Sequence, residues 1–219
     1  MKKIAIIVAA GKGLRLGEPI PKQFLMLADY PVLYWSILRF SEAGCEVWVV
    51  LHPEMMQQWA QWSEQYKIPA HHVVEGGEER YHSVRNAIQM MPNEPALVAI
   101  HDAARPNLNK SQIEELMHHC QEVGSAIPYI IPADSIRLRA GKGSQVIDRN
   151  ETMLIQTPQC FQLEELKKAY QEDFNSSFTD DASVMERRGI ALHFVQGDKL
   201  NFKITHPSDW WMMQQIFKP

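Results

Sequence analysis

The sequence predicts an α/β fold, a mostly parallel sheet with helices on both faces. Two observations predict it. Apolar runs rich in β-branched residues alternate with segments of helical apolar spacing, the rhythm of strand–helix–strand units. The runs are continuously apolar, which fits strands buried on both sides. At 219 residues, 45% apolar and 22% charged, the chain suits a single globular domain over 1–219.

The elements follow in order. "IAIIVA" (4–9), "EVWVVL" (46–51), "HHVVE" (71–75) and "ALVAIHD" (96–102) read as strands. Between them, "VLYWSILRFSEAG" (32–44), "PEMMQQWAQWSEQY" (53–66) and "YHSVRNAIQMM" (81–91) read as helices. Met-Lys-Lys followed by an apolar run resembles a signal peptide, but Gly-Lys-Gly-Leu-Arg follows at once, and a buried first strand is the better reading. The stretch 132–150 breaks the rhythm. "SIRLR" and "SQVID" alternate apolar with polar around Ala-Gly-Lys-Gly, which predicts a protruding β-hairpin arm. An isolated hairpin is marginally stable, so this arm is expected to pack on a partner subunit; a flap on its own domain is the alternative. Beyond it, "LEELKKAYQ", "DDASVMERRG" and "PSDWWMMQQIF" read as helices, and "ALHFVQG" and "NFKIT" as short strands. Thr179-Asp180-Asp181 predicts an N-cap and an acidic first turn.

The net charge of −4 gives no drive toward nucleic acid or anionic membrane, and no apolar run reaches the length of a membrane span. Cys45, Cys120 and Cys160 are odd in number and widely spread, as expected in a reduced, cytoplasmic compartment. The adjacent pairs His71-His72 and His118-His119 diverge on any regular element and make poor chelators; surface positions are expected for them.

In such sheets ligands bind beyond the carboxyl ends of the strands. Three loops fall there: "AGKGLRLGEPIPKQ", "GGEER" and "HDAARP", each with an arginine. The first is neither a P-loop, since no Ser or Thr follows Lys12, nor a dinucleotide fingerprint, since Gly11, Gly13 and Gly17 are spaced one residue too long. Its backbone amides can form an anion nest, with Arg15 and Lys22 as cations. A solvated turn fits those residues equally well. Gly76 and Gly77 let backbone approach a flat ligand, and Ser83 can bond a base edge. Asp102 could order an acceptor hydroxyl or hold a metal directly or through water, or serve only a salt bridge or a helix cap, with Arg105 beside it. No Ser-His-Asp order, G-x-S-x-G elbow or zinc-ligand spacing occurs. Anion sites without an evident base suit attack by an already ionised phosphate on a nucleoside triphosphate, where catalysis is positioning plus positive charge.

"AAGKGLRLGEPIPKQF", "EGGEERYHSV", "HDAARP", "DRN…QTPQCF", "TDDAS" and "NFKIT" stand in the order of the 2-C-methyl-D-erythritol 4-phosphate cytidylyltransferase family. The chain resembles that family from residue 3 to about 215. The resemblance implies a Rossmann-like nucleotidyltransferase fold whose arm exchanges contacts across a homodimer. It implies that CTP and the methylerythritol phosphate give 4-diphosphocytidyl-2-C-methyl-D-erythritol and pyrophosphate. It also implies a divalent cation, Mg2+, held mainly by the CTP phosphates, with no protein metal ligand assigned. Matched residue by residue, Arg15 and Lys22 would stabilise the α-phosphate and the departing pyrophosphate. Ala9, Ala10, Gly11 and Gly13 would line the triphosphate, and Gly77, Glu78 and Ser83 the cytosine. Asp102 and Arg105 would face the acceptor. Arg149 would reach it from the other subunit, and Thr157, Thr179 and Lys203 would complete that pocket. The chain carries Ser135 and Glu78 where the family has threonine and aspartate; neither change removes a functional group. A ribitol 5-phosphate cytidylyltransferase and a non-catalytic nucleotide-binding regulator are the alternatives.

Overall fold

The structure, a computed structural model, describes residues 1–11 and 20–218. Strand β1 (Lys2–Ala9) runs through the middle of the sheet. Ala5, Ile7 and Ala9 point into one core and Ile4 and Ile6 into the other. Both faces of the strand are therefore dry, which is why its sequence does not alternate.

The short strands β2 (Met26–Leu27) and β3 (Tyr30–Pro31) pair with each other and lead into helix α1 (Val32–Glu42). Then come β4 (Glu46–Leu51), α2 (Met56–Gln65), β5 (His72–Glu75), α3 (Arg80–Met90) and β6 (Ala96–Asp102). Helix α4 (Lys110–Val123) and strand β7 (Ser125–Ile130) follow. The antiparallel strands β8 (Ile136–Ala140) and β9 (Gly143–Ile147) form a two-stranded sheet of their own, the expected hairpin. The chain continues through β10 (Leu154–Ile155), β11 (Gln159–Gln162), α5 (Leu163–Ala169), α6 (Asp181–Arg187), β12 (Phe194–Gln196) and α7 (Pro207–Ile216).

In the main sheet β1 lies between β4 and β6, parallel to both, and β5 extends the sheet beyond β4. On the other side β11 runs antiparallel to both β6 and β7, and β12 lies parallel to β7. Strand β10 also pairs antiparallel with β7, placing Leu154 opposite Ile130 where β11 places Cys160 opposite Ala126. Between them Gln156 N–H still bonds the Pro128 carbonyl at 2.8 Å, while the register slips by two residues before Cys160.

The helices cover both faces. Ile37 and Phe40 of α1, Trp59 of α2 and Met117 of α4 pack on one. Val84 of α3, Leu166 of α5 and Met185 of α6 pack on the other. Helix α7 closes a smaller cluster of Leu27, Val32, Ile204 and Met213. Two expectations change, for residues 201–205 and for His71. Residues 201–205, "NFKIT", form no strand; within the segment, Ile204 N–H bonds the Ala104 carbonyl. The 179–181 segment supplies the expected N-cap of α6, Asp180 in a capping box with Ser183, and Asp181 as its acidic first turn. His71 is not a surface residue but is packed in, with Nδ1–H donated to the Pro69 carbonyl and Nε2 accepting from Trp59 Nε1.

Candidate active site

A cavity of about 490 Å3 opens where β1 and β6 end and α3 begins. This is the carboxyl edge at which such sheets bind ligands. Ala9, Ala10, Gly11, Lys22, Gly77, Glu78, Ser83, Asp102 and Lys203 line it, so the described parts of the three loops meet in one place. Gly13 and Arg15 lie outside the described residues.

The loop after β1 is held by a residue that the sequence analysis passed over. Gln23 is buried in a 3-10 turn, Lys22–Phe24, and its Nε2 donates to the Ala9 and Gly11 carbonyls, each at 2.7 Å. Phe24 anchors the turn against Trp59 and Trp62. Lys22 Nζ donates to the Ile204 carbonyl, which ties this turn to the C-terminal segment.

The loop after β5 lies directly against the first. Gly76 N–H bonds the Leu51 carbonyl at 2.8 Å. A Cβ at Gly76 would overlap the Ala10 side chain and stand 3.2 Å from Leu51 O, so only glycine allows this approach. Ser83, on α3, accepts a hydrogen bond from Gly77 N–H at 3.1 Å. The hydroxyl proton of Ser83 then remains to be donated toward the cavity.

The third loop carries the charge. Asp102 ends β6 with its carboxylate nearly buried. Oδ1 accepts from Arg80 Nε at 3.1 Å and Oδ2 from Lys203 Nζ at 2.7 Å. Arg105 Nε stands 4.0 Å from Oδ2, while its Nη1 donates to the Asn201 carbonyl at 2.8 Å. Burial alone would raise the Asp102 pKa, but Arg80, Lys203 and Arg105 hold it well below the usual carboxylate range. Arg80 is in turn forked onto Asp181, Nη1 to Oδ1 at 2.9 Å and Nη2 to Oδ2 at 2.7 Å. Asp181 is fully buried and also accepts from Tyr170 at 2.6 Å.

Behind Asp102, Thr157 is buried and its hydroxyl is engaged. It accepts from Asp102 N–H at 3.0 Å and lies 3.1 Å from His101 Nδ1. His101 Nε2 is 3.0 Å from the Arg105 carbonyl. A carbonyl only accepts, so Nε2 carries the proton and Thr157 donates to Nδ1. Burial lowers the His101 pKa to about 4, which keeps the ring neutral. Asn201 Nδ2 donates to the Thr157 carbonyl at 2.8 Å and completes this support.

A profile of the 2-C-methyl-D-erythritol 4-phosphate cytidylyltransferase family matches residues 3–218. The chain belongs to that family. It is 39% identical over 212 residues to the 2-C-methyl-D-erythritol 4-phosphate cytidylyltransferase of Bacteroides thetaiotaomicron, covering 95% of this chain and 96% of the relative. The Porphyromonas gingivalis enzyme of the same name is 37% identical over 210 residues, covering 95% and 94%. The crystal structure of the Thermus thermophilus enzyme superposes with a TM-score of 0.80 at 28% identity, covering 99% of this chain and 98% of that one.

The protein is thus a cytidylyltransferase, a nucleotidyltransferase of isoprenoid biosynthesis with the α/β fold of its class. The described residues include no helix long and apolar enough to cross a membrane. In this cytidylyltransferase the remaining predicted residues stand apart from the cavity. Ser135 and Arg149 are exposed together at the base of the hairpin, where Ile136 pairs with Ile147. Arg149 Nη1 donates to the Ala133 carbonyl at 2.6 Å. Thr179 is exposed beside α6, and its N–H bonds Ser183 Oγ at 3.1 Å.

Of the residues the sequence analysis passed over, Arg80 had a visible signal as the arginine of "GGEER". Asp181 was read as a helix-terminal acid, yet its carboxylate serves Arg80 and Tyr170. Gln23 and Asn201 lie inside quoted motifs, but each acts through backbone carbonyls, a role their residue type does not announce.

Proposed function

We propose that CTP and the acceptor lie together in the cavity, and that the acceptor phosphate attacks the α-phosphorus of CTP in line. The reaction converts CTP and 2-C-methyl-D-erythritol 4-phosphate to 4-diphosphocytidyl-2-C-methyl-D-erythritol and pyrophosphate. A bond forms from an acceptor phosphate oxygen to Pα, and the bridging Pα–O bond breaks, its electrons leaving with pyrophosphate. The attacking oxygen is already ionised, so no general base is needed.

The observation that carries this reading is Lys22 and Lys203 on the walls of one cavity that Ala9, Ala10, Gly11 and Gly77 also line at the strand ends. Ala9, Ala10, Gly11 and Gly13 receive the triphosphate, and Gly77, Glu78 and Ser83 the cytosine. Arg15 and Lys22 stabilise the charge that shifts onto the α-phosphate and the leaving group. Lys203, oriented by Asp102, takes the acceptor phosphate, with Arg105, Ser135, Thr157 and Thr179 supporting that side. Arg149 of the partner subunit reaches the same phosphate, supplied by the hairpin of a homodimer. The hairpin pairs only with itself among the described residues, and it exposes Leu138 and Val146, as an arm with a partner would.

The described residues include no group of three or more His, Cys, Asp or Glu side chains able to hold a metal ion. Asp102 is already shared between Arg80 and Lys203. The divalent cation, Mg2+, is therefore assigned to the triphosphate oxygens, where it offsets phosphate charge. Pyrophosphate release, measured with CTP and each of methylerythritol phosphate, ribitol 5-phosphate and no acceptor, tests the reading. Release with methylerythritol phosphate is expected; release only with ribitol 5-phosphate, or none, overturns it.

A further inference from the structure

We propose that Arg80 is a positioning residue for the acceptor side: locked by Asp181, it fixes the Asp102 carboxylate and through it the Lys203 ammonium. The inference rests on the assignment of Lys203 to the acceptor phosphate. Four observations carry it.

The guanidinium serves three oxygens at once. Its two terminal nitrogens meet Asp181 at 2.9 and 2.7 Å, and its Nε meets Asp102 Oδ1 at 3.1 Å. Only a planar fork does this; a lysine offers one point of attachment. Next, the two oxygens of Asp102 are divided. With Oδ1 on Arg80, Oδ2 is left directed at Lys203 Nζ, 2.7 Å away. A carboxylate held at one oxygen cannot rotate freely about its Cβ–Cγ bond, so the ammonium inherits a fixed position.

The anchor itself is also immobile. Asp181 is fully buried at the start of α6, and Tyr170, buried at the end of α5, donates to its Oδ1. Tyr81 of α3 stacks on the Tyr170 ring at 4.8 Å. Finally, the other candidate does not perform the task. Arg105 Nε is 4.0 Å from Asp102 and makes no hydrogen bond among the described residues. Asp102 and Asp181 face the cations Arg80, Arg105 and Lys203, so the cluster is net positive by one and Lys203 is its most exposed member. Arg80 also lines the cavity, but Lys203 is the more exposed cation that the arrangement orients there.

The test is Arg80→Lys in the full-length enzyme, which keeps a cation between the carboxylates but removes the fork. The acceptor KM should rise about tenfold or more, while the Kd of CTP by calorimetry stays within about twofold. Lys167→Met is the stability control. It removes the bond from Lys167 to the Met91 carbonyl and should lower Tm without moving the acceptor KM. Arg80→Lys made in a Lys203→Ala background should add almost nothing, since both act on one contact. An unchanged acceptor KM, equal losses for both substrates, or effects that multiply in the double variant would each overturn the proposal. If Arg80→Lys does not fold, Asp181→Asn, which keeps the shape but loosens the fork, is expected to give the same substrate split. Lys203→Ala alone separates the two levels. If it leaves the acceptor KM untouched, the assignment of Lys203 fails; if it raises KM and Arg80→Lys does not, only the role of Arg80 fails.

Discussion

Lys203 Nζ lies 2.7 Å from Asp102 Oδ2, a contact between residues 101 positions apart. It joins an irregular C-terminal segment to the end of β6. The Asp102 carboxylate is held well below its usual pKa against the cost of burial. The carboxylate therefore stays ionised, and on the proposed reading an incoming acceptor phosphate meets an ammonium already in place.

Lys203→Ala should accordingly weaken acceptor use far more than nucleotide binding. The acceptor KM is expected to rise about tenfold or more, from loss of a charge-assisted contact, with CTP affinity nearly unchanged. Lys203→Arg should rescue only in part, because a planar fork replaces a point charge. Calorimetry with CTP alongside acceptor-dependent kinetics measures both. Loss of CTP binding with an unchanged acceptor KM would place this lysine in the nucleotide pocket instead.

Lys22→Ala should act on turnover. If Lys22 stabilises charge that develops at the α-phosphate and the leaving group, kcat falls about a hundredfold or more. The Gln23 contacts to Ala9 and Gly11 remain, so the fold should persist, as judged by circular dichroism. A soluble variant with near-normal kcat removes Lys22 from the reaction.

The arm has its own test. If Arg149 acts across a homodimer, mixing Arg149→Ala subunits with Lys22→Ala subunits gives heterodimers with one doubly defective site and one intact site. Activity should return in part. Heterodimers verified by native mass spectrometry but showing no recovery would rule out a shared site.

His101 predicts a pH dependence of stability. Its folded-state pKa, lowered by burial to about 4, lies below the unfolded value near 6.5. As pH falls, the unfolded chain takes up this proton first. The contribution is complete above about pH 6.5 and lost progressively toward pH 4, the loss reaching about 3 kcal/mol at the acid end. Residue-resolved NMR titration of the folded protein measures it. An imidazole that titrates near 6.5 contradicts the neutral, buried ring.

The strands that position the cavity were legible because burial on both faces writes a continuous apolar run. Helix α4 was equally readable in principle, since Ile113, Leu116, Met117 and Cys120 keep helical spacing behind the Asn109–Gln112 capping box. Residues 201–205 misled because Phe202 and Ile204 alternate like a strand. Their order comes instead from side chains of other elements, Lys22, Arg105 and Gln156 bonding the carbonyls of Ile204 and Asn201. In the site, Gly11, Lys22, Gly77, Asp102 and Lys203 line one cavity, while Gly13 and Arg15 lie outside the described residues. Arg80 and Asp181 were harder to read because their meaning lies in each other: one belongs to α3 and the other to α6, 101 positions apart.

The central place of β1 constrains how the protein can be made. Translation produces β1 before either of its neighbours, yet both of its edges are satisfied only by β4 and β6. Pairing on the second edge must wait for residues 96–102. At about 5 to 20 residues per second, that delay is on the order of 5 to 20 s. Throughout it, "IAIIVA" is an apolar, β-prone segment with an open edge on a growing chain. Lys2 and Lys3 sit at its head, where charge opposes self-association of nascent chains. A strand that both cores share in the finished enzyme is thus one that needs protection during synthesis.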